Sequence, residues 1–422
     1  MPSNPTSRSA SPSDPRPSSG RAAAPVPDPL PTSTGYLGLL RNREFAGLYA
    51  GFTLTVAAST LSGFALGTLV DEQTGSPFLT AVSMYGATFA TVLGALTLMS
   101  VADGGRPRRI VVLLQLASLA GVAAQALPGL PLAVRFALLL LLGFFQSLGT
   151  GARLGLLSEV VPVSAYAPAR SLMNITSGGT AILGYAVGAV LLRYASPRDV
   201  FVIAACLTAL GAAVVAATVR EHSVRPTRRP GLRQTWRTNA ELFSHPRRRA
   251  LLLALWVPNG LIVGCEALFI SYDPGHAGTF LAAGSAGMLL GDLAVGRLLT
   301  AAGRRRHAST LRLLLAAPFL LFAAHPPAPV LAVAVFLASA GFAATLPLQE
   351  QLLELTPEAI RGQVQGVESA GRMTWQGLGA AIAGGLAQCL GPGTAIALAA
   401  AASLAVTLLT RPSRRTRRGR PL

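Results

Sequence analysis

The sequence predicts an all-α, polytopic membrane protein, with twelve transmembrane helices arranged as two pseudo-symmetric six-helix bundles. Three observations lead there. Mostly apolar runs of roughly 17–25 residues recur, the length a helix needs to cross a hydrocarbon core. One arginine-rich segment divides these runs into two sets of six. Arginine-rich loops alternate with arginine-poor ones, the pattern left when one side of a membrane keeps the positive charge. Composition agrees, since 51% hydrophobic against 12% charged residues is a balance foreign to soluble domains.

In chain order, residues 1–35 are rich in Pro, Ser and Ala and lack an apolar core long enough for a signal peptide. They read as a disordered cytoplasmic tail. An N-terminal bundle over 36–220 holds spans 46–70, 78–101, 110–127, 131–157, 171–192 and 200–219. A cytoplasmic linker over 221–248 carries Arg225, Arg228, Arg229, Arg233, Arg237, Arg247 and Arg248. A C-terminal bundle over 249–410 holds spans 250–271, 277–301, 309–324, 329–352, 365–389 and 394–410, and 411–422 is a basic cytoplasmic tail. Span 5 is polar, span 9 is short, and span 11 carries Glu368 and Arg372. Dropping any of them would put an arginine cluster on the wrong side of the membrane.

Loops 71–77, 128–130, 272–276, 325–328 and 390–393 contain no arginine, whereas the alternating loops carry Arg106, Arg108 and Arg109, then Arg170, the linker, Arg304 to Arg306, and Arg361. Both termini and the linker are therefore expected in the cytoplasm, with the chain a multi-pass protein of the plasma membrane. The net charge of +18 sits in these short loops and not on a soluble basic face. The implied partner is the lipid bilayer and not nucleic acid. Cys206, Cys265 and Cys389 fall in apolar spans and read as small packed hydrophobes. The chain has no lysine, which excludes a Walker-A nucleotide site and Schiff-base chemistry in it. No cofactor is called for, and His222, His245, His276, His307 and His325 are too scattered to suggest a metal site. The expected state is a monomer.

The halves repeat one another. Leu157-Ser158-Glu159-Val160-Val161-Pro162 before span 5 is matched by Leu352-Leu353-Glu354-Leu355-Thr356-Pro357 before span 11, and the same offset pairs Leu183-Gly184 with Leu378-Gly379. Parallel six-helix repeats are a recurring transporter plan, with the substrate path between the halves.

Over about residues 36–410 the chain resembles the major facilitator superfamily. Ala102-Asp103-Gly104-Gly105-Arg106-Pro107-Arg108-Arg109 resembles that family's loop 2–3 signature, with Met99 where a glycine is usual. Gly151-Ala152-Arg153 with Val161-Pro162, and Thr356-Pro357-Glu358-Ala359-Ile360-Arg361-Gly362-Gln363, resemble the branch that includes macrolide and siderophore efflux proteins. Gly179, Gly184 and Gly188 resemble part of the antiporter motif of drug exporters, with Tyr185 in place of its proline. The resemblance implies a cytoplasmic latch of Asp103, Arg106, Arg108 and Arg109. In it, Asp103 meets the start of helix 11 near Val364 to Glu368. It also implies that helices 1, 4, 7 and 10 line a central cavity.

The residues themselves place polar stripes on those four spans. Thr55, Ser59 and Ser62 share a face of span 1, Gln146, Thr150 and Arg153 of span 4, Asn259 and Glu266 of span 7, and Thr345 and Gln349 of span 10. A charge near the bilayer centre costs about 2.5–3.5 kcal/mol on insertion scales, so it faces a cavity or a partner. On that ground Glu266 and Asp292 are candidate proton carriers, and Arg153 either lines the cavity, snorkels, or pairs with Glu159. Glu368 and Arg372 have the spacing of an i,i+4 pair. Gly184, Gly188, Gly379 and Gly384, with Gly284, Gly287 and Gly291, read as sites of close helix contact, and Asp71 and Glu72 as solvated rim charges. The reading is a secondary active transporter. It is a proton-coupled exporter of small amphipathic organic molecules, as in drug or secondary-metabolite efflux, working by alternating access and not an enzyme. The alternatives are a proton symporter importing a small solute, or a polytopic membrane enzyme or receptor.

Overall fold

The computed structural model describes residues 36–98, 107–221 and 242–410. Both tails, Asp103 and Arg106 of the expected latch, and the linker arginines Arg225, Arg228, Arg229, Arg233 and Arg237 lie outside the described residues. Every regular element among the described residues is helical. The long helices of the first half are α1 (Arg43–Thr74), α2 (Pro77–Leu98), α3 (Pro107–Gln125), α4 (Leu132–Val160), α5 (Val163–Tyr194) and α6 (Pro197–Thr218). In the second half they are α7 (Pro246–Glu266), α8 (Ala277–Leu298), α9 (Ala301–Ala316), α10 (Ala328–Ala340 and Thr345–Glu354), α11 (Arg361–Leu390) and α12 (Pro392–Leu409).

Among the described residues, eleven spans are long and apolar enough to cross a membrane. The helix left out of that set is α11, which carries Arg361, Glu368, Arg372 and several glutamines. Its 30 residues are about 45 Å long, ample for a roughly 30 Å core. Most helices overrun the apolar stretch that announced them, because caps and prolines fix the ends and hydropathy does not. Asn42 caps α1 by accepting from the backbone N–H groups of Glu44 and Phe45, a contact worth about 1 kcal/mol. Ser196 and Asp199 form a capping box on α6. Pro246 opens α7, where its missing N–H costs nothing. Arg247 and Arg248, expected in the linker, therefore belong to the first turn of that helix.

Several helices depart from regular geometry. Helix α7 stops at Glu266 and resumes as the short turn Phe269–Tyr272. The two parts of α10 are joined by a 3-10 turn, Gly341–Ala344, and α9 continues as a 3-10 segment, Ala317–Ala324.

In the first half α6 packs on α1 and α3, α4 on α2 and α3, and α5 on α1. In the second half α7 packs on α11 and α12, and α8 on α10. Between halves, α2 lies on α11 and α5 on α8. In lipid there is little hydrophobic drive between helices, so close backbone approach at small residues carries the packing. A Cβ on Gly379 would run into the Gly260 carbonyl oxygen, and one on Gly287 into that of Phe336. Gly184 and Gly188 back onto Thr60 and Phe64 of α1, and Gly384 onto Phe78 of α2. Cys265 is buried, but Cys206 and Cys389 are exposed on helix surfaces and do not pack inside as expected.

One apolar cluster joins the halves. It holds Phe64 and Ala81 of the first half with Phe269, Phe280, Phe319 and Phe322 of the second. At the opposite end each half keeps its own cluster, one around Leu156, Leu157 and Phe45 and the other around Leu252, Leu348 and Leu352. Among the described residues the halves therefore share a core at one end, hereafter the closed end, and keep separate cores at the other, hereafter the parted end.

Gly379→Ala should drive a methyl into the Gly260 backbone and lower stability by about 1–3 kcal/mol, as overpacking does. Gly385→Ala, where nothing lies within 4 Å, should be nearly neutral. Thermal unfolding of the purified variants in detergent checks this, and equal melting of the two would count against the α7–α11 crossing.

Candidate functional site

At the closed end, polar groups stitch the halves together. Asp71, at the end of α1, accepts from the Ser271 hydroxyl at 2.6 Å and from Thr80 at 3.0 Å. It is not the solvated rim charge that its position suggests. The Ser76 hydroxyl donates to Gln388 Oε1 of α11 at 3.0 Å, and Arg193 of α5 donates to the Gly275 carbonyl at 3.5 Å.

Glu266 lies inward of this rim, where α7 breaks. It is 9% exposed. Its carboxylate stands near the Tyr85 hydroxyl of α2 and accepts from the Ser339 hydroxyl of α10 at 3.5 Å. Tyr185 of α5 also stands close enough to interact electrostatically with it, and so does the Cys265 thiol. A carboxyl group desolvated by apolar helices needs such donors. Here they come from both halves, and the rest of its surroundings are aromatic and aliphatic.

Toward the parted end the second half carries a polar chain. Asn259 Oδ1 accepts from Gln376 Nε2 at 3.0 Å. Arg372 Nε meets Glu368 Oε1 at 3.1 Å, so the i,i+4 pair forms, and Gln349 Nε2 donates to Glu368 Oε2 at 3.3 Å. The Trp256 indole N–H donates to the Glu368 backbone carbonyl at 2.9 Å. Three of the predicted residues, Gln349, Glu368 and Arg372, thus fall within one network that Trp256 ties to α7, while Asn259 pairs separately with Gln376.

The other predicted residues are spread more widely. The Arg153 guanidinium lies 4.9 Å over the Phe52 ring, a cation–π contact, and not against Glu159. Thr55 is turned to α3, where it accepts from Gln115 at 3.0 Å. Ser59, Ser62 and Thr345 donate to backbone carbonyls of their own helices, and Gln146 is exposed. Thr150 lies in α4, but its side chain is outside the described part. Asp292 sits on α8, exposed in a separate cleft with Arg170 and Arg297. Of the expected latch, Arg108 and Arg109 approach Glu221 at 3.9 and 3.8 Å, and Arg108 also donates to the Ala216 carbonyl at 2.5 Å.

Sequence reasoning missed Tyr85, Tyr185 as a neighbour of the acid, Ser339, Ser271 and Gln388. It also missed Arg135, which is 4% exposed and donates to the backbone carbonyls of Gln125 and Leu127. One signal was available, since a tyrosine inside an apolar span usually needs a partner for its hydroxyl.

Asp71→Ala should loosen the closed end, because a hydrogen bond to a charged group is worth about 1.5–3 kcal/mol. Spin labels on Gln73→Cys and Thr394→Cys, with the native cysteines replaced, should then show a longer distance component. A distance distribution unchanged by the substitution would remove Asp71 from the gate.

The comparisons agree with this geometry. The description Major Facilitator Superfamily matches residues 48–276, more than half of the chain. No curated protein sequence matches it. Among solved structures, a mutant of the nucleoside transporter NupG superposes with a TM-score of 0.76 at 13% identity, covering 87% of this chain and 98% of that one. The peptide transporter POT in complex with sulfate gives 0.69 at 15% identity, with 89% and 95% covered. A POT family transporter in complex with 5-aminolevulinic acid gives 0.68 at 12%, with 89% and 96% covered. At such identities these likenesses bear on the fold alone. Together with the family match, they show that this chain belongs to the major facilitator superfamily and is a multi-pass membrane transporter.

Proposed function

We propose that the protein is a proton-coupled exporter of small amphipathic organic molecules, working by alternating access, with Glu266 as the group that takes up and releases the proton. The observation that carries this reading is the place of Glu266: a buried carboxyl at the junction of the two halves, with the Tyr85 hydroxyl near it on one side and the Ser339 hydroxyl on the other. Ionised, it offers only acceptors, and the two hydroxyls can both donate to it. Protonated, one oxygen becomes a donor and the charge that attracts the Tyr85 hydroxyl is gone. A proton therefore changes how firmly the halves are held at the closed end, and this ties ionisation to conformation. Asp292 stays a second candidate, on α8 at the parted end.

With the arginine-rich loops on the cytoplasmic side, the closed end is external and the structure is inward-facing. Substrate enters from the cytoplasm between Arg153 on α4 and the Asn259–Gln376 and Gln349–Glu368–Arg372 groups. A guanidinium over an aromatic ring in one half and neutral amides in the other suit a molecule with one polar end and an apolar body. The export direction rests on the exporter-like segments Gly151-Ala152-Arg153 and Thr356 to Gln363 and on Gly184 and Gly188. Proton-driven uptake is the second reading, favoured by Tyr185 at the antiporter motif's proline position. Mechanistically, a single cavity exposed to alternate sides serves either direction.

Glu266→Gln keeps the shape and two hydrogen-bonding atoms but cannot ionise. In proteoliposomes it should lose gradient-driven transport by roughly 5- to 150-fold, the span of a coupling free energy of about 1–3 kcal/mol. Exchange of labelled for unlabelled substrate without a gradient should persist. Gradient-driven transport that is unchanged in Glu266→Gln would refute the assignment of the proton. Cells making the protein should also accumulate less substrate until the proton gradient is dissipated, and gradient-dependent accumulation would reverse the direction.

A further inference from the structure

A second polar site lies away from the Glu266 cluster. Helices α5 and α8, one from each half, leave a cleft of about 480 Å³ between them at the parted end. Its polar wall is Arg170, Ser171 and Asn174 of α5 with Asp292 and Arg297 of α8, and its apolar wall is Ile175, Leu289 and Leu293. Among the described residues, none of Arg170, Asn174, Asp292 and Arg297 has a hydrogen-bond or ion-pair partner. Several other arginines of this chain are tied down: Arg135 by carbonyls, Arg304 by Glu350, Arg305 by Glu354 and Arg372 by Glu368. Two unpaired guanidiniums, one on each helix, share this cleft with one carboxylate, and that is an incomplete arrangement.

The order of residues along the helices sets the shape of what completes it. Arg297 is in the last turn of α8, and Leu289, eight residues earlier, lies about 12 Å deeper along the axis. Arg170 is in the early part of α5, and Ile175 lies inward of it. The charges are therefore at the level of a membrane surface, and the apolar side chains reach toward the hydrocarbon. Among the described residues, only these two helices line the cleft. The outer faces of both carry exposed apolar residues, with Leu183, Val187 and Val190 on α5 and Met288 and Leu290 on α8.

We propose that this cleft binds a single phospholipid whose headgroup bears an O–H or N–H donor. Its phosphate sits between Arg170 and Arg297, its headgroup donor on Asp292, and the start of one acyl chain against Leu289 and Leu293. Guanidinium forks match phosphate oxygens bidentately. The carboxylate opposite them selects against a headgroup that has no hydrogen to give. A lipid held there contacts α5 and α8 at once, where the two halves must separate or close. Nothing in this depends on which solute is transported or on its direction.

Native mass spectrometry of the full, delipidated chain in detergent tests it, with no gradient and no transported solute present. The probes are dioleoyl phosphatidylglycerol, dioleoyl phosphatidylethanolamine, dioleoyl phosphatidylcholine and inorganic phosphate. One retained lipid per chain is expected, with the glycerol and ethanolamine headgroups bound about tenfold more tightly than choline, the worth of one charge-assisted hydrogen bond. Arg170→Gln/Arg297→Gln should reduce binding of all three lipids by about tenfold or more. Asp292→Asn should erase the preference over choline and leave choline binding as it was. The single variants Arg170→Gln and Arg297→Gln serve if the double variant does not stay monodisperse. Equal binding in wild-type and arginine variants overturns the site. Inorganic phosphate that displaces the lipid at comparable concentration overturns the lipid and leaves only an anion site.

Discussion

A carboxyl group cannot stay ionised among phenylalanine and alanine side chains without donors, and much of this architecture follows from that constraint. Glu266 satisfies it with hydroxyls from α2 and α10, helices that belong to different halves of the chain. The position of one half relative to the other is therefore written into the solvation of a single side chain. The rim contacts at Asp71 and Gln388 join the same two halves at the closed end, and Glu266 is buried inward of them. An acid that the protein solvates only in one arrangement of its halves is sensitive to that arrangement by construction.

The rest of the packing treats charge and contact in the ways open to a membrane protein. Where helices cross closely they do so at glycine, with backbone against backbone, since lipid gives no hydrophobic reward for burying leucine against leucine. Two arginines that meet the interior, Arg135 and Arg372, are answered in different ways, by carbonyls and by a carboxylate. Arg135 shows the first solution, bonded to the free carbonyls at the end of α3, so its charge is answered by helix-end dipoles without an acid. The Arg372–Glu368 pair shows the second, with Gln349 taking the remaining carboxylate oxygen.

How much of this was legible in the sequence depends on how local each feature is. The spans were legible because hydropathy is summed over neighbouring residues. The same is true of Glu368 and Arg372, one helical turn apart. The polar positions Asn259 and Gln349 were legible from helical spacing, but their separate partners, Gln376 and Glu368 on α11, were not. Pairings across the halves were not legible. Asp71 and Ser271 are 200 residues apart, and no periodicity within either segment links them. Tyr85 looked like one more large residue in an apolar helix, and its role emerges only once α7 is laid beside it. The interruptions in α7 and α10 also escaped notice, because runs such as Ala-Gly-Phe-Ala-Ala are as apolar when irregular as when helical. Helix ends were misjudged for the opposite reason. Caps such as Asn42 and Pro246 outrank hydropathy in fixing them.

The interruption in α10 has a mechanical meaning. Ser339, facing Glu266, and Gln349, bonded to Glu368, ride on the same helix with the 3-10 turn Gly341–Ala344 between them. A continuous α-helix transmits rotation and translation from end to end almost undiminished. A stretch with looser, differently spaced hydrogen bonds acts as a flexible joint, taking up a change in bend or twist within a few residues. Movement at the acid's end of α10 need not tear the amide–carboxylate bond at the other end. The two polar clusters can then switch one after the other, so the barrier to each step is that of a small rearrangement and not of moving the whole helix at once.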